Sequence, residues 1–233
     1  MKLPDDSQRI VITGRTGSGK TLEALHHLSQ RSIDTKPWIC LDFKGADYLS
    51  QLPVSSPATL EEQPPNEPGL YVVKAEIEEV KGGPVEDYLM AIFQQGNTGV
   101  LIDEGGMVGQ SNRALRLLLT QGRSKNCPLI ICSQRPVFID KYCFSESEFL
   151  QFFYLQMRDD QDRVHEYVGE DRLDFDSIRA LGKYHSIYYD VIEDEMTVCE
   201  PCPMFPEIYD RILTRLPKVI EDDPTMPARR VRV

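Results

Sequence analysis

The chain has 233 residues, with 26 Lys and Arg against 37 Asp and Glu, a net charge of −11 and a pI near 4.9. That length fits one large domain, or one domain with a small appendage, and suffices for a sizeable core. No apolar run reaches the ~18–20 residues of a membrane span, and the start, MKLPDDSQRI, is too polar for a signal peptide, so membrane proteins and secreted disulfide scaffolds are not expected. The acidic balance argues against coating nucleic acid over the whole surface, but leaves room for a locally basic channel.

In chain order, Arg9 to Thr13 is a short β-branched run that ends in glycines, and Leu22 to Leu28 carries apolar residues at helical spacing. Trp38 to Asp42 predicts a second buried strand. Five prolines between Pro53 and Pro68 mark a surface loop. Leu70 to Val73 reads as a strand and Val85 to Gln95 as a helix. Gly99 to Glu104 is an apolar strand ending in two carboxylates, followed by a helix over Arg113 to Gln121 that Gly122 is suited to stop. Pro128 to Ser133 is another apolar strand, Phe149 to Met157 a further one, and Asp159 to Val168 a charged helix. Strands apolar on both faces and separated by helices predict an α/β fold with a mainly parallel sheet covered on two sides.

Beyond Gly169 the pattern changes. Tyr184 to Val191 and Glu195 to Val198 predict a hairpin, Ile208 to Leu216 a short helix, and the last dozen residues a tail. The expected division is a core over 1–168, an extension packed on it over 169–220, and a tail over 221–233. The six cysteines are expected as reduced thiols. Cys199-x-x-Cys202 has metal-ligand spacing, but no second pair or His doublet nearby completes a zinc site, so incidental thiols are the plainer reading.

The strongest chemical signal is Gly14-Arg15-Thr16-Gly17-Ser18-Gly19-Lys20-Thr21, a full match to G-x-x-x-x-G-K-[ST] between a predicted strand and a predicted helix. Glycines let successive backbone N–H groups face phosphates, and the helix N-terminus adds positive charge. Lys20 would reach the β- and γ-phosphates of ATP, and the Thr21 hydroxyl would bind Mg²⁺. Asp103 is placed to support the same metal and Glu104 to orient and polarise an attacking water. Gln134, in Ser133-Gln134-Arg135-Pro136, stands at the exit of the next strand, where it is either a γ-phosphate sensor or part of a plain loop exit. Arg123 is either a solvated cation at a helix C-terminus or a finger reaching a neighbouring subunit's phosphate. No Asn-Lys-x-Asp motif is present, which disfavours a GTPase, and no evident basic lid supports a small-molecule kinase.

The set GRTGSGKT, LDFKG, VLIDEGG and QGRSKNCPLIICSQRP, in that order, resembles the FtsK–HerA superfamily of P-loop ATPases. Within it, the chain looks like the genome-packaging ATPases of tailless, membrane-containing phages. The resemblance spans about Arg9 to Val168. It implies a core sheet of order 5-1-4-3-2, with the catalytic Glu strand beside the phosphate-loop strand. It also implies a hexameric or pentameric ring that moves double-stranded DNA into a preformed capsid with ATP and magnesium, in the host cytoplasm and docked to capsid or portal proteins at a virion vertex. By motif position Glu104 is the catalytic base, Gln134 the strand-end sensor, and Arg123 the finger acting in trans. Asp42-Phe43-Lys44-Gly45 resembles the family's Asp-Pro-Lys-Gly stretch, with Phe where Pro is usual.

Candidate DNA contacts are Arg113, Arg116, Lys125, the Lys81-Gly82-Gly83 loop and the Arg229-Arg230-x-Arg232 tail. For each of them a solvated surface charge is the plainer reading. The alternatives carried forward are another FtsK–HerA-type motor for phage extrusion or plasmid transfer, and a nucleotide-dependent assembly switch.

Overall fold

The computed structural model describes residues 3–75 and 83–217. Lys81, Gly82, Arg229, Arg230, Arg232 and the 221–233 tail fall outside the described residues. Eight strands form one sheet: β1 (Ile10–Thr13), β2 (Pro37–Asp42), β3 (Gly69–Lys74), β4 (Gly99–Asp103), β5 (Leu129–Ser133), β6 (Phe149–Phe152), β7 (Ser186–Asp190) and β8 (Glu195–Cys199). Their spatial order is β3-β2-β4-β5-β1-β6-β7-β8. The first six are parallel, and the β7–β8 hairpin continues the sheet antiparallel from β6.

The core strands look continuously apolar because each feeds two cores. A strand's side chains alternate between faces. Ile10, Ile12, Trp38, Cys40, Leu101 and Ile130 therefore enter one core. Their chain neighbours Val11, Ile39, Leu41, Val100, Ile102 and Ile131 enter the other. The first core is closed by α1 (Lys20–Leu28), through Leu25 and Leu28, and by the helix Phe205–Arg215, through Ile208 and Ile212. The second is closed by the helices Pro84–Gln95, Arg113–Gln121, Arg158–Val168 and Phe175–Leu181. Asn112 caps the second of these, its side-chain oxygen accepting from the Leu115 amide at 2.9 Å.

Two expectations need correcting. The strand carrying Asp103 and Glu104 is not beside the phosphate-loop strand: β5 lies between β4 and β1 and pairs in parallel with both. The order 5-1-4-3-2 itself holds for the strands β6, β1, β5, β4 and β2, with β3 added beyond β2 as an extra edge. The run Leu70–Val73 supplied that edge, and nothing local in its sequence tells an edge strand from an insertion between strands. The helix stops at Gln121 as expected, with Gly122 at its C-cap in a right-handed conformation (φ −59). The chain continues through a 3₁₀ turn, Gly122–Lys125, and the left-handed residue is Asn126 (φ 56). Second, the predicted strand Phe149–Met157 ends earlier, at Phe152, because the last residues turn into the helix that starts at Arg158.

Candidate active site

In a parallel sheet all strands end at the same edge, and loops leaving that edge converge. Gly14 to Gly19 joins β1 to α1 there. The Gly14 amide donates to the Ser133 carbonyl at 3.2 Å, the Arg15 amide to the Tyr154 carbonyl at 3.5 Å, and the Ser18 amide to the Arg15 carbonyl at 3.2 Å. Gly14 passes so close to Phe153 that a β-carbon on it would stand 2.5 Å from the Phe153 Cβ, so no larger residue fits without moving the loop. Gly19 caps α1 at φ +102, a conformation L side chains rarely adopt. Behind it, the Lys20 Nζ donates to the Arg15 carbonyl at 3.0 Å. Burial pulls the Lys20 ammonium below the ordinary lysine range, while the Glu104 and Asp103 carboxylates push the other way.

The carboxylates arrive from β4. The Thr21 hydroxyl donates to the Asp103 Oδ1 at 2.9 Å, which joins two residues 82 positions apart in the chain. Asp103 is buried, and that burial raises its carboxyl pKa, partly offset by the Thr21 hydrogen bond. Glu104 sits at φ 113, ψ 66, a strained backbone for a non-glycine residue and one that turns its carboxylate back across the strand ends. There it pairs with the Lys44 ammonium and accepts from the Gln134 side-chain amide at 3.0 Å. Gln134 in turn accepts from the Thr16 hydroxyl at 2.7 Å through its Oε1.

Lys44, Glu104, Gln134 and Thr16 thus form one polar chain over the ends of β2, β4, β5 and β1, four adjacent strands. The sequence reading reached Lys44 only through the LDFKG resemblance and gave Asp42 no role. Asp42 lies opposite Asp103 in register, and its Oδ1 accepts from the Lys44 and Ala46 amides at 3.1 Å each, fixing the turn that aims Lys44. Its buried Oδ2 has no hydrogen-bond partner among the described residues. Gln134 is steadied by its neighbour: the Arg135 Nε donates to the buried Asp160 at 2.7 Å, and the guanidinium lies over the Phe138 ring.

Arg123 is not brought to this edge. It belongs to the turn that precedes β5, at the opposite end of the sheet, where its exposed guanidinium lies 3.9 Å from Glu148. Glu148 is chiefly engaged by buried Arg9, at 2.5 Å and 3.1 Å through two guanidinium nitrogens. Among the DNA-contact candidates, Arg113 and Lys125 are exposed. Arg116 is committed to Asp140 at 2.6 Å and to the Gln110 carbonyl at 2.7 Å. The described residues hold no group of three or more His, Cys, Asp or Glu side chains that could hold a metal by themselves. A magnesium ion needs no such cage, since one or two protein oxygens plus substrate phosphates suffice. The all-oxygen pair of Thr21 and Asp103 fits that requirement.

A glycine loop capping a helix at the edge of a parallel sheet, hydrogen-bonded to an acidic strand end two places away, defines a P-loop NTPase. No family model matches the chain. Sequence comparison finds the DNA packaging ATPase P9 of Enterobacteria phage PRD1, 39% identical over 208 residues, covering 87% of this chain and 91% of that protein. The chain therefore belongs to the DNA-packaging ATPase family. Among solved structures it is similar to the genome packaging NTPase B204 of Sulfolobus turreted icosahedral virus 2, solved with ATPγS (TM-score 0.66, 17% identity, 85% of this chain and 99% of that one). It is also similar to the N-terminal domain of zonular occludens toxin from Neisseria meningitidis (TM-score 0.52, 13% identity, 87% and 97%). At these identities the two structures speak for the fold.

Proposed function

We propose that the chain is the subunit of a homo-oligomeric ring that uses ATP to drive double-stranded DNA into a preformed viral capsid, working in the host cytoplasm against a capsid or portal vertex. The observation that carries the reading is the polar chain from Lys44 to Thr16 next to the Thr21–Asp103 hydrogen bond, in a member of the packaging family. In this assignment the backbone of Gly14, Arg15, Thr16, Gly17, Ser18 and Gly19 cradles the phosphates, and Lys20 neutralises the β- and γ-oxygens. Thr21 and Asp103 are the residues that would hold magnesium, which when bound spreads the charge of the transferring phosphoryl group. Glu104 takes the proton of the attacking water, while Gln134, linked both to Glu104 and to the loop through Thr16, reports whether the γ-phosphate is there. Arg123, a whole strand length away from its own loop, acts on the phosphate of a neighbouring subunit. Exposed Arg113 and Lys125 are the DNA contacts this assignment retains, and Arg116 is set aside because its charge is already paired.

The test is steady-state ATP hydrolysis with duplex DNA, single-stranded DNA or none, over a salt series. Stimulation by duplex that falls steeply with salt is expected, because phosphate contacts release counterions. Turnover indifferent to duplex at every salt concentration would shift the reading to an assembly switch. For the finger, mixing Arg123→Ala subunits with Glu104→Gln subunits should restore part of the turnover that each lacks alone. Mixtures no more active than either parent would remove Arg123 from the active site.

A further inference from the structure

The sheet ends at β8, and from Glu195 to Val198 its outer edge pairs with no strand among the described residues. An open edge leaves a row of backbone N–H and C=O groups without ladder partners, and lysine or proline commonly blunts it. The sequence Glu195-Met196-Thr197-Val198 contains neither. Along this edge runs a cavity of about 300 Å³, walled by β8 and by the helix Phe175–Leu181. Leu173, Ile178, Leu181, Ile187, Met196 and Val198 give it an apolar lining. Val198 is 52% exposed and Leu181 37%, so that lining reaches solvent. Met196 and Val198 stand in register with Tyr189 and Ile187, on the face turned to the helix. Glu195 stands with Asp190 on the other face.

The charge around the groove is of one sign. Arg172 is the cation on its wall, and Asp194 neutralises it, through its carboxylate and through its carbonyl at 3.0 Å. Asp174 remains on the wall and Glu195 on the strand, with Glu193 and Glu200 close on either side of it, all four exposed. Glu200 also meets the His185 ring, at 2.9 Å. Nucleic acid is repelled by such a rim. So is the β8 edge of a second copy, which would set the same carboxylates against each other.

We propose that this edge docks an extended segment of a partner protein in which basic and apolar residues alternate. The segment adds a strand beyond β8, its main chain taking up the open N–H and C=O groups. Every second side chain is apolar and enters the groove beside Met196 and Val198. Those between are basic and meet Glu195 and its acidic neighbours, which steer the segment in and fix its register. The proposal does not depend on the phosphate-loop assignment, since no residue of Gly14 to Thr21 lines the groove.

The experiment is fluorescence anisotropy of labelled synthetic peptides titrated with the full chain at low salt. One peptide alternates arginine and valine, one has the same composition with the arginines first and the valines after, and one alternates glutamate and valine. Wild type should bind the first, the second at least about tenfold more weakly, and the third not at all. Val198→Asn should weaken the first about tenfold through the lost apolar contact. Glu195→Lys combined with Glu200→Lys should exchange the preference for the glutamate peptide. All these positions are remote from the phosphate loop, so ATP turnover should stay at the wild-type level and report that each variant is folded. Absence of binding by wild type overturns the proposal. Equal binding of the two arginine peptides does so too, because charge alone would then be the attraction. Tighter binding by a full-length chain with Arg229→Glu, Arg230→Glu and Arg232→Glu would give the groove to this chain's own basic stretch and overturn the partner.

Discussion

Glutamine in place of Glu104 is expected to lower ATP turnover by about 10²–10⁴-fold while ATPγS binds almost as to wild type. The amide keeps the shape of the side chain and can still meet Gln134, so the polar chain over the strand ends persists. What disappears is the ability to take a proton. The ion pair with Lys44 is lost too, but Lys44 is 42% exposed at its side chain, and a pair with one solvated partner contributes less than about 1 kcal/mol. Folding should therefore be nearly unaffected, which keeps the measurement clean. Single-turnover hydrolysis beside equilibrium binding decides the matter. Turnover within tenfold of wild type would strip Glu104 of the base role and favour the assembly-switch reading.

The largest expected effect on stability lies at the other end of the sheet. Glu148→Ala should destabilise the fold by about 3–5 kcal/mol, because it leaves the Arg9 guanidinium buried without its carboxylate. Arg9 is 7% exposed, and besides its two side-chain contacts its backbone amide also donates to Glu148, at 2.8 Å. The pair stitches the start of β1 to the start of β6, so its loss is felt by two neighbouring strands. At roughly 2–4 °C per kcal/mol for a chain of this size, the melting temperature should fall by about 6–20 °C. Removing the exposed Arg158 from its pair with Asp162 serves as the control and should change little. A Glu148→Ala chain as stable as that control would show that water reaches Arg9.

Much of this was legible in the sequence, for identifiable reasons. The phosphate loop is a local motif in a local context, and runs such as Val100-Leu101-Ile102 announce a strand buried on both faces. Asp103 and Glu104 followed from standing at the end of such a run. What pairs with what was harder. A parallel sheet leaves no trace of strand order in the residues themselves, which is how β5 came to separate β4 from β1 against expectation. Short helices such as Asp47–Ser50 and Gly105–Val108 have too few residues to show a period. The left-handed backbone at Glu104 runs against its residue type, since only tertiary context holds a glutamate there. Tyr184 and Met204 line a cavity beside the phosphate loop from more than 160 positions further along the chain than that loop, beyond any spacing argument.

The distance between Arg123 and the phosphate loop has a kinetic consequence. Strands of four to six residues at about 3.3 Å each keep the two roughly 13–20 Å apart within a subunit. With Arg123 in its proposed role, a lone subunit holds two halves of different active sites and completes neither. Only a head-to-tail contact makes a whole one, and a rotation that closes makes as many as there are subunits. Hydrolysis per subunit then falls away on dilution, rising with total protein at more than first order until assembly is complete. Idle subunits before docking would thus be spared futile consumption of ATP without any dedicated inhibitor.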